Sequence, residues 1–241
     1  MFFNTRGIII QRLNYNDSSL IVKAFSELFG MQTYMVRGIR GKKTKAKIAL
    51  LQPLTRVLLT VSHREKKQFQ QLREINLEKD FTNLSGNPVK NGIILFSSEI
   101  LYKSLREEPA DPNLFSFLHF SLDLLDRESA SLNEFPILFL KELCRYLGFF
   151  PAGIFSETNS VFDMLEGKFV KQVPTHGYYL EEKKALSFSQ LLSARFKTGR
   201  QEEFSPSERR DLLKTLLIYF QLHVPGFKDV KSHLVLQEVL A

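Results

Sequence analysis

The hydrophobic pattern of this chain changes its period once, and that change constrains the fold more than any other feature of the sequence. Between residues 5 and 77 short apolar runs alternate with polar residues, and turn clusters such as Asn14-Tyr-Asn-Asp17 separate them. Beyond Ser85-Gly-Asn-Pro88 the apolar side chains recur about every 3.6 residues. A period of two is typical of strands and the longer period of helices. The sequence therefore predicts an α+β protein in which strands come first and helices follow.

The first part of the chain predicts a small barrel. Short strand-like runs follow one another and are rich in β-branched residues, a pattern typical of closed or nearly closed barrels. The OB-fold is the five-stranded barrel best known for binding nucleic acid, so by analogy we predict an OB-fold domain over residues 1–81. The predicted strands are Thr5–Leu13, Ser19–Ser26, Met31–Val36, Leu54–Ser62 and Gln68–Leu77.

The second part predicts a helical bundle over residues 82–241, with an irregular insert at about 154–184. Its last long helix begins with Ser205-Pro-Ser-Glu208, which has the spacing of a capping box with proline at the first helical position. The predicted helices are Asn91–Leu105, a helix capped at Asp111 that runs to about Leu125, Asn133–Leu147, Ser205–Val224 and Ser232–Leu240.

Positive charge is concentrated in the predicted barrel. Residues 1–80 hold 15 Lys and Arg against 6 Asp and Glu, a net charge of +9, whereas the remaining 18 and 20 give the rest of the chain −2. Six cations fall within residues 37–47, with no acid among them, and Gly38 and Gly41 argue against a helix there. This basic segment has no local counter-charge, so the sequence predicts that it binds a polyanion.

We therefore predict a nucleic-acid surface that contacts phosphates and does not read base sequence. Aromatic side chains on a barrel face can stack on bases, and Tyr15, Phe29, Tyr34 and Phe69 are the candidates. The predicted phosphate-binding residues are Arg37, Arg40, Lys42, Lys43, Lys45 and Lys47, with Lys66 and Lys67 of the next turn extending the surface.

No catalytic or metal-binding arrangement stands out, so an enzyme is not predicted. The five histidines are scattered, and Cys144 lies among apolar residues that raise the pKa of a thiol. Gly41-Lys42-Lys43-Thr44 fails the spacing of a phosphate-binding loop, because that motif requires a glycine at position 36, which is Val. A single cysteine, no signal-like start and no long apolar stretch predict a soluble cytoplasmic protein without cofactor or metal.

Short motifs follow one another along the chain in this order: Thr5-Arg-Gly7-Ile-Ile, Phe29-Gly30, Val36-Arg37-Gly38 before the basic segment, Leu51-Gln52-Pro53-Leu54, Glu99-Ile-Leu101, Leu147-Gly148-Phe149-Phe150-Pro151, Pro174-Thr-His176 and His223-Val-Pro-Gly226-Phe-Lys-Asp-Val-Lys231-Ser232. In the order and spacing of these motifs the chain resembles the bacterial RecO family of DNA repair proteins over essentially its whole length.

The resemblance implies an N-terminal OB-fold, a helical C-terminal domain and a role as a recombination mediator. It implies binding and annealing of single- and double-stranded DNA, contact with the acidic C-terminal tail of single-strand-binding protein (SSB), and work with RecR to load RecA. Many family members hold zinc with four cysteines after the Leu-Gly-Phe-x-Pro motif. Residues 154–179 of this chain contain no cysteine, so we expect packing alone to hold that segment.

The helical part predicts a partner groove, in which an apolar lining accepts a phenylalanine ring and cations meet the carboxylates of an acidic peptide. Two other functions stay open at this point, a protein-interaction adaptor built on the barrel and an RNA-binding accessory factor. The candidate groove residues are Phe135, Phe139, Lys141, Arg145, Lys228 and Lys231, although bundle core is the more common place for the two Phe.

Overall fold

The computed structural model describes residues 1–16, 19–37, 48–64, 67–79, 81, 84, 86–105, 109–127, 132–197 and 204–240. The chain divides into two compact units, Met1–Asp126 and Arg127–Ala241, called here the barrel unit and the helical unit.

A closed barrel of five strands in the order β1-β2-β3-β5-β4 forms the centre of the barrel unit. Neighbouring strands are antiparallel except β3 and β5, which are parallel. The predicted α+β class and five-stranded barrel are thus confirmed. The strands are β1 (Phe3–Asn16), β2 (Ser19–Ser26), β3 (Gly30–Arg37), β4 (Arg56–Ser62) and β5 (Gln70–Leu77).

Alternate side chains of the strands fill the interior of the barrel, as the two-residue period of the sequence requires. β-branched and aromatic residues suit this half-buried pleated surface, which explains why these runs form strands. The core residues are Ile9, Leu20, Val22, Ala24, Tyr34, Val36, Leu51, Val57, Leu59, Val61 and Ile75.

Strand β1 is buried on both of its faces over Ile8, Ile9 and Ile10, none of which is more than 1% exposed. Ile9 belongs to the barrel core, whereas Ile8 and Ile10 do not. A register shift between Ile9 and Gln11 marks a β-bulge, which frees backbone groups from the regular ladder. The carbonyl of Ile10 accepts a hydrogen bond of 2.6 Å from Ser98 Oγ, so the bulge attaches the barrel to a helix.

That helix, α1 (Pro88–Ser104), and the following helix, α2 (Pro112–Arg127), extend the barrel unit to Asp126. Asn87 Oδ1 accepts the amides of Val89 and Lys90, and Asp111 Oδ1 accepts two amides at the start of α2, so side-chain caps begin both helices. The two compact units divide after Asp126. This division lies later in the chain than the predicted change from strands to helices near residue 82.

A buried cation links the barrel to α2. Arg56 at the start of β4 is 3% exposed and donates to Asp123 Oδ1 at 3.1 Å, and Lys79 donates to the same oxygen at 2.8 Å. Arg56 also lies 3.4 Å from His119 Nδ1, and because a guanidinium only donates, this nitrogen accepts and the ring proton is on Nε2. Burial, followed by the charges of Arg56 and Arg6, lowers the pKa of His119 to about 4, so the ring is neutral at pH 7.

The helical unit contains four α-helices and a small sheet within its described residues. The helices are α3 (Phe135–Tyr146), α4 (Glu182–Ser193), α5 (Pro206–His223) and α6 (Ser232–Val239), and a 3₁₀ turn (Leu132–Glu134) precedes α3. The predicted capping box is confirmed: Ser205 Oγ accepts the amide of Glu208, and the Glu208 carboxylate accepts the amide of Ser205. In the described part of the chain, no helix combines the length and apolar character that crossing a bilayer requires.

The segment predicted as an irregular insert contains the small sheet. Its strands are β6 (Val161–Asp163), β7 (Lys168–Val170) and β8 (Tyr179–Leu180), in the order β7-β6-β8. Phe162 of β6 is fully buried, and its ring lies 5.0 Å from Phe169, 4.7 Å from Phe188 of α4 and 5.9 Å from Tyr219 of α5. Aromatic packing therefore attaches this sheet to two helices.

Replacing Asp123 with Ala removes a carboxylate that neutralises Arg56. We expect the free energy of unfolding to fall by about 2 kcal/mol, less than for a fully buried pair because Asp123 is 31% exposed. Urea denaturation followed by circular dichroism measures the change. The control is Glu74→Ala, which breaks a 3.8 Å pair with Arg73 whose side chains are both more than half exposed, and which should cost less than about 0.5 kcal/mol. Equal losses in the two variants would contradict a structural role for the Arg56 cluster.

Candidate nucleic-acid interface

Four outward-facing positions form a continuous row across the barrel. Leu13 of β1 pairs with Ile21 of β2, Ile21 pairs with Met35 of β3, and Met35 pairs with Gln71 of β5. Paired residues lie on the same face of a sheet, and the strand neighbours of Ile21 and Met35 (Leu20, Val22, Tyr34 and Val36) belong to the core. Leu13 and Gln71 are exposed, and Ile21 and Met35 are partly exposed. We call these four residues the cross-barrel row.

Exposed cations flank the cross-barrel row. Arg37 is two residues beyond Met35 on β3 and extends from the face that carries the row. Arg73 follows Gln71 on β5 at a register shift, where the regular alternation between faces is interrupted, and its side chain is exposed. Arg73 lies with its guanidinium 5.0 Å from the Phe2 ring centre. Its 3.8 Å pair with Glu74 is open to solvent and contributes little. Arg37 and Arg73 can therefore meet an external anion.

The turn between β4 and β5 adds two more exposed cations, Arg64 and Lys67. Gln70 holds this turn: its amide nitrogen donates to the carbonyls of Arg64 and Lys67 at 2.8 Å, and its oxygen accepts the amide of Arg64 at 2.8 Å. Because the backbone of Arg64 and Lys67 is fixed, only their side chains remain to be ordered when they bind an anion.

Most of the predicted phosphate-binding residues lie outside the described residues. Those are Arg40, Lys42, Lys43, Lys45, Lys47 and Lys66, whereas Arg37 and Lys67 are described and exposed. The chain that follows the basic segment is attached to β1. Arg12 donates to the carbonyl of Ile48 at 3.3 Å, Leu51 is fully buried in the barrel core, and the amide of Leu54 donates to Ile9 at 2.7 Å.

The four candidate stacking aromatics have different surroundings. Tyr15, 57% exposed, is available to a ligand. Phe29 and Phe69 are partly buried, and Phe29 already stacks on His63 with ring centres 4.3 Å apart. Tyr34 is 1% exposed inside the barrel, and burial raises the pKa of its hydroxyl. The structure therefore removes Tyr34 from the candidate surface, because its ring fills the core.

Sequence reasoning missed Arg73 and the apolar members of the cross-barrel row. In the sequence, Leu13, Ile21 and Met35 have the same apolar character as the strand residues that fill a core, so nothing marks them as a surface. The strand pairing that places them side by side involves β1, β2, β3 and β5, and this information is not present in local alternation.

The predicted peptide groove is not open at three of its residues. Phe135 and Phe139 are buried with stacked rings 6.0 Å apart, and Phe135 also meets Phe196 edge-on at 5.2 Å. Lys141 is 1% exposed; its ammonium group donates to the carbonyl of Ala194 and lies 2.6 Å from Glu142. These side chains belong to the core of the helical unit because each has an internal partner that an external peptide would have to displace.

Of the other three predicted groove residues, Arg145 is exposed and stacks on Phe150 at 3.8 Å, and Lys228 and Lys231 are exposed in the segment after α5. A different concavity, which we call the α3–α5–α6 pocket, lies between those helices and has a volume of about 140 Å³. Apolar side chains line it, and Arg209 and Arg210 stand at its edge. Its apolar lining consists of Pro136, Ile137, Pro206, Leu213, Leu236 and Leu240.

The cysteine-free segment is held by side-chain packing and one polar pair. Asp163 accepts the amides of Leu165 and Glu166, and His176 Nε2 lies 3.3 Å from the same Asp163 oxygen. The aromatic cluster is built on Phe162, the residue directly before Asp163 in β6. Among the described residues, no group of three or more His, Cys, Asp and Glu side chains is arranged to hold a metal ion.

A closed five-stranded barrel with an exposed basic face, followed by helices, defines the class of OB-type barrel proteins with a helical extension. The family model Recombination protein O N terminal matches residues 1–81, and Recombination protein O C terminal matches residues 85–233. The chain therefore belongs to the RecO family of DNA repair proteins, which confirms the resemblance inferred from its motifs.

Curated relatives agree over the full length. The chain is 34% identical over 241 residues to DNA repair protein RecO of Christiangramia forsetii, covering 99% of each chain. It is 34% identical over 243 residues to that of Flavobacterium psychrophilum, covering 100% of each, and 29% identical over 239 residues to that of Azobacteroides pseudotrichonymphae, covering 99% of each.

If aromatic packing replaces a metal in the segment around β6, Phe162→Ala should destabilise the helical unit by about 3 kcal/mol, because a large buried ring is lost. Thermal and urea denaturation measure the loss. Addition of a chelator should leave the melting temperature of the unmodified protein unchanged. Tyr178→Ala in the same segment is the control, since that side chain is about half exposed. A melting temperature that drops with chelator would show that a metal holds the segment.

Proposed function

We propose that this chain is a recombination mediator without catalytic activity that acts in the cytoplasm and binds single- and double-stranded DNA through its barrel unit. The observation that carries this proposal is the set of exposed cations on the barrel, Arg37, Arg64, Lys67 and Arg73. Residues 1–80 carry a net charge of +9, and a phosphate backbone is the counter-charge that such a surface attracts. Membership of a family of DNA repair proteins supports the same choice.

The proposed binding does not depend on base sequence. Arg and Lys that contact phosphates fix the position of a strand without distinguishing its bases. Two complementary strands repel each other through their phosphates. Dissolved salt screens this repulsion beyond a distance of about 10 Å, so it acts mainly when the strands come close together. A basic surface that neutralises one strand lowers this repulsion, and strand annealing is the expected result.

We further propose that the helical unit binds the acidic tail of SSB, and that RecR and, through it, RecA act with the bound complex. The α3–α5–α6 pocket supports the first part. Its apolar lining suits a terminal phenylalanine ring, and Arg209 and Arg210 can meet carboxylates, which is the chemistry of an acidic peptide that ends in phenylalanine. Arg210 is exposed at the start of α5, where its guanidinium can reach a ligand.

Replacing Lys42, Lys43, Lys45 and Lys47 with Ala tests the basic segment. If about four phosphate contacts are lost, the slope of log K against log salt for single-stranded DNA should fall by about 3, and the affinity should fall with it. Fluorescence anisotropy across a salt series measures both quantities. Lys183→Ala with Lys184→Ala, two exposed lysines of α4, should change neither quantity. An unchanged slope in the quadruple variant would remove the basic segment from the DNA site.

The same titration separates the alternative functions. An adaptor that binds only polypeptide would show no salt-dependent DNA binding, and an RNA-binding accessory factor would prefer RNA in competition between oligomers of one sequence. For the proposed mediator we expect DNA binding at low salt and no preference for RNA.

Arg210→Glu tests the α3–α5–α6 pocket. We expect it to weaken binding of an acidic peptide that ends in phenylalanine by at least about tenfold, because one charge-assisted contact becomes a repulsion. Isothermal titration calorimetry with the peptide measures the effect. Lys228→Glu is the matched control, with the same charge change at an exposed site that does not line this pocket. Loss of binding in Lys228→Glu alone would place the peptide at the lysines after α5 instead.

A further inference from the structure

The apolar side chains of the cross-barrel row lie at positions where a strand normally presents polar residues to water. Leu13 is 43% exposed, and Ile21 and Met35 beside it are partly exposed. Three such side chains at paired positions on neighbouring strands make a continuous apolar strip. Single exposed apolar residues are ordinary on protein surfaces, whereas a contiguous strip that polar groups border indicates a binding surface.

Where helices cover the barrel, its outward apolar residues are buried. Ile8 and Phe25, which pair across β1 and β2, are fully buried, and Phe25 lies 6.3 Å from Phe115 of α2. Ile10 is fully buried at the bulge that Ser98 of α1 contacts. The exposed strip begins further along β1, at Leu13. The barrel unit thus has helices over one part of its outer surface, and within the described residues these helices leave the cross-barrel row exposed.

The ligand of this strip must offer apolar surface and negative charge together, because Arg37 and Arg73 border it. Unpaired nucleotides have this combination, since each base presents a flat face and each phosphate a negative charge. In a duplex the base faces are stacked on one another and cannot reach a protein surface. We infer that the cross-barrel row binds the faces of unpaired bases while Arg37 and Arg73 contact their phosphates, so that the barrel distinguishes single-stranded from double-stranded DNA.

The dimensions of the row fit this role. Four neighbouring strands at a spacing of about 4.8 Å give a row about 14 Å long, enough for several nucleotides. Tyr15 is two residues beyond Leu13 on β1 and is 57% exposed, which supplies an aromatic ring near one end of the row. The amide of Gln71 at the other end can donate and accept hydrogen bonds. This inference rests on the proposed function, because it adds contacts with bases to the proposed contacts with phosphates.

The experiment compares three fluorescent probes that carry the same number of phosphates per strand: a thymidine 20-mer, an abasic oligomer of equal length, and a duplex. Contact of a base face with the apolar row, and stacking on the Tyr15 ring, both favour binding of a strand that has bases. We therefore expect the full-length protein to bind the thymidine oligomer at least about tenfold more tightly than the abasic oligomer. Anisotropy at several salt concentrations measures each affinity and its salt dependence.

The double variant Leu13→Ser with Met35→Ser should bring the thymidine and abasic affinities together and leave the salt slope unchanged. Leu58→Ser is the matched control: Leu58 is 45% exposed on β4, where it pairs with Arg6 and Asn76 and lies outside the row. It should keep the preference for thymidine. Arg37→Met with Arg73→Met should have the opposite effects. The salt slope should fall by about 1.4, as expected for two lost contacts with a single strand, and the protein should still prefer the thymidine oligomer to the abasic oligomer.

A measurement on the unmodified protein covers the case in which the double variant fails to fold. The methyl resonance of Met35 should shift when the thymidine oligomer is added, because an aromatic base lies against it, and should not shift with the abasic oligomer. Equal affinity for the thymidine and abasic oligomers, or a Met35 methyl that is indifferent to both, would overturn the inference and leave the proposed phosphate binding intact. Failure of all three probes to bind would instead overturn the proposed function.

Discussion

The short parallel contact between β3 and β5 is the interaction on which the arrangement of the barrel unit depends. It consists of the paired positions Tyr34 with Gln70 and Met35 with Gln71, and it converts an open sheet into a closed barrel without free edges. Gln70 is itself buried and is satisfied by three hydrogen bonds to the backbone of Arg64 and Lys67. The turn that carries exposed cations and the start of β5 are therefore fixed by the same side chain.

Closure also determines which surface is left for a ligand. Because β5 joins β3 in this register, Gln71 lies beside Met35 and the exposed Arg73 follows two residues further along β5, although β3 and β5 are distant in the sequence. The bulge in β1 has a complementary effect, since it allows Ile8, Ile9 and Ile10 all to be buried and gives α1 an attachment point at Ile10. Helices cover the barrel there, and the apolar strip from Leu13 onwards lies beyond them.

Local patterns predicted the elements of this protein well and the partners of individual side chains poorly. Alternation located the five strands, and the Ser205 cap located the start of α5, because both depend on neighbours in sequence. Lys141 was expected at a groove rim, but its ammonium group binds the carbonyl of Ala194 at the end of α4. That helix has weak local signals: Glu181 makes no capping bond, and Glu182 has a φ of +48°. Because the sequence does not locate the helix that ends at Ala194, it also does not predict that Lys141 is buried against the Ala194 carbonyl.

The candidate site combines two kinds of interaction that respond differently to a DNA strand. Arginine and lysine side chains interact with the phosphates that every strand carries, whether it is paired or not. Apolar side chains such as Leu13, Ile21 and Met35 have no hydrogen bonds to offer, so they cannot tell one base from another, but they gain from contact only when a base face is accessible. A surface built in this way is indifferent to sequence and sensitive to pairing. The proposed binding to DNA of any sequence and the proposed preference for unpaired strands depend on these two kinds of interaction.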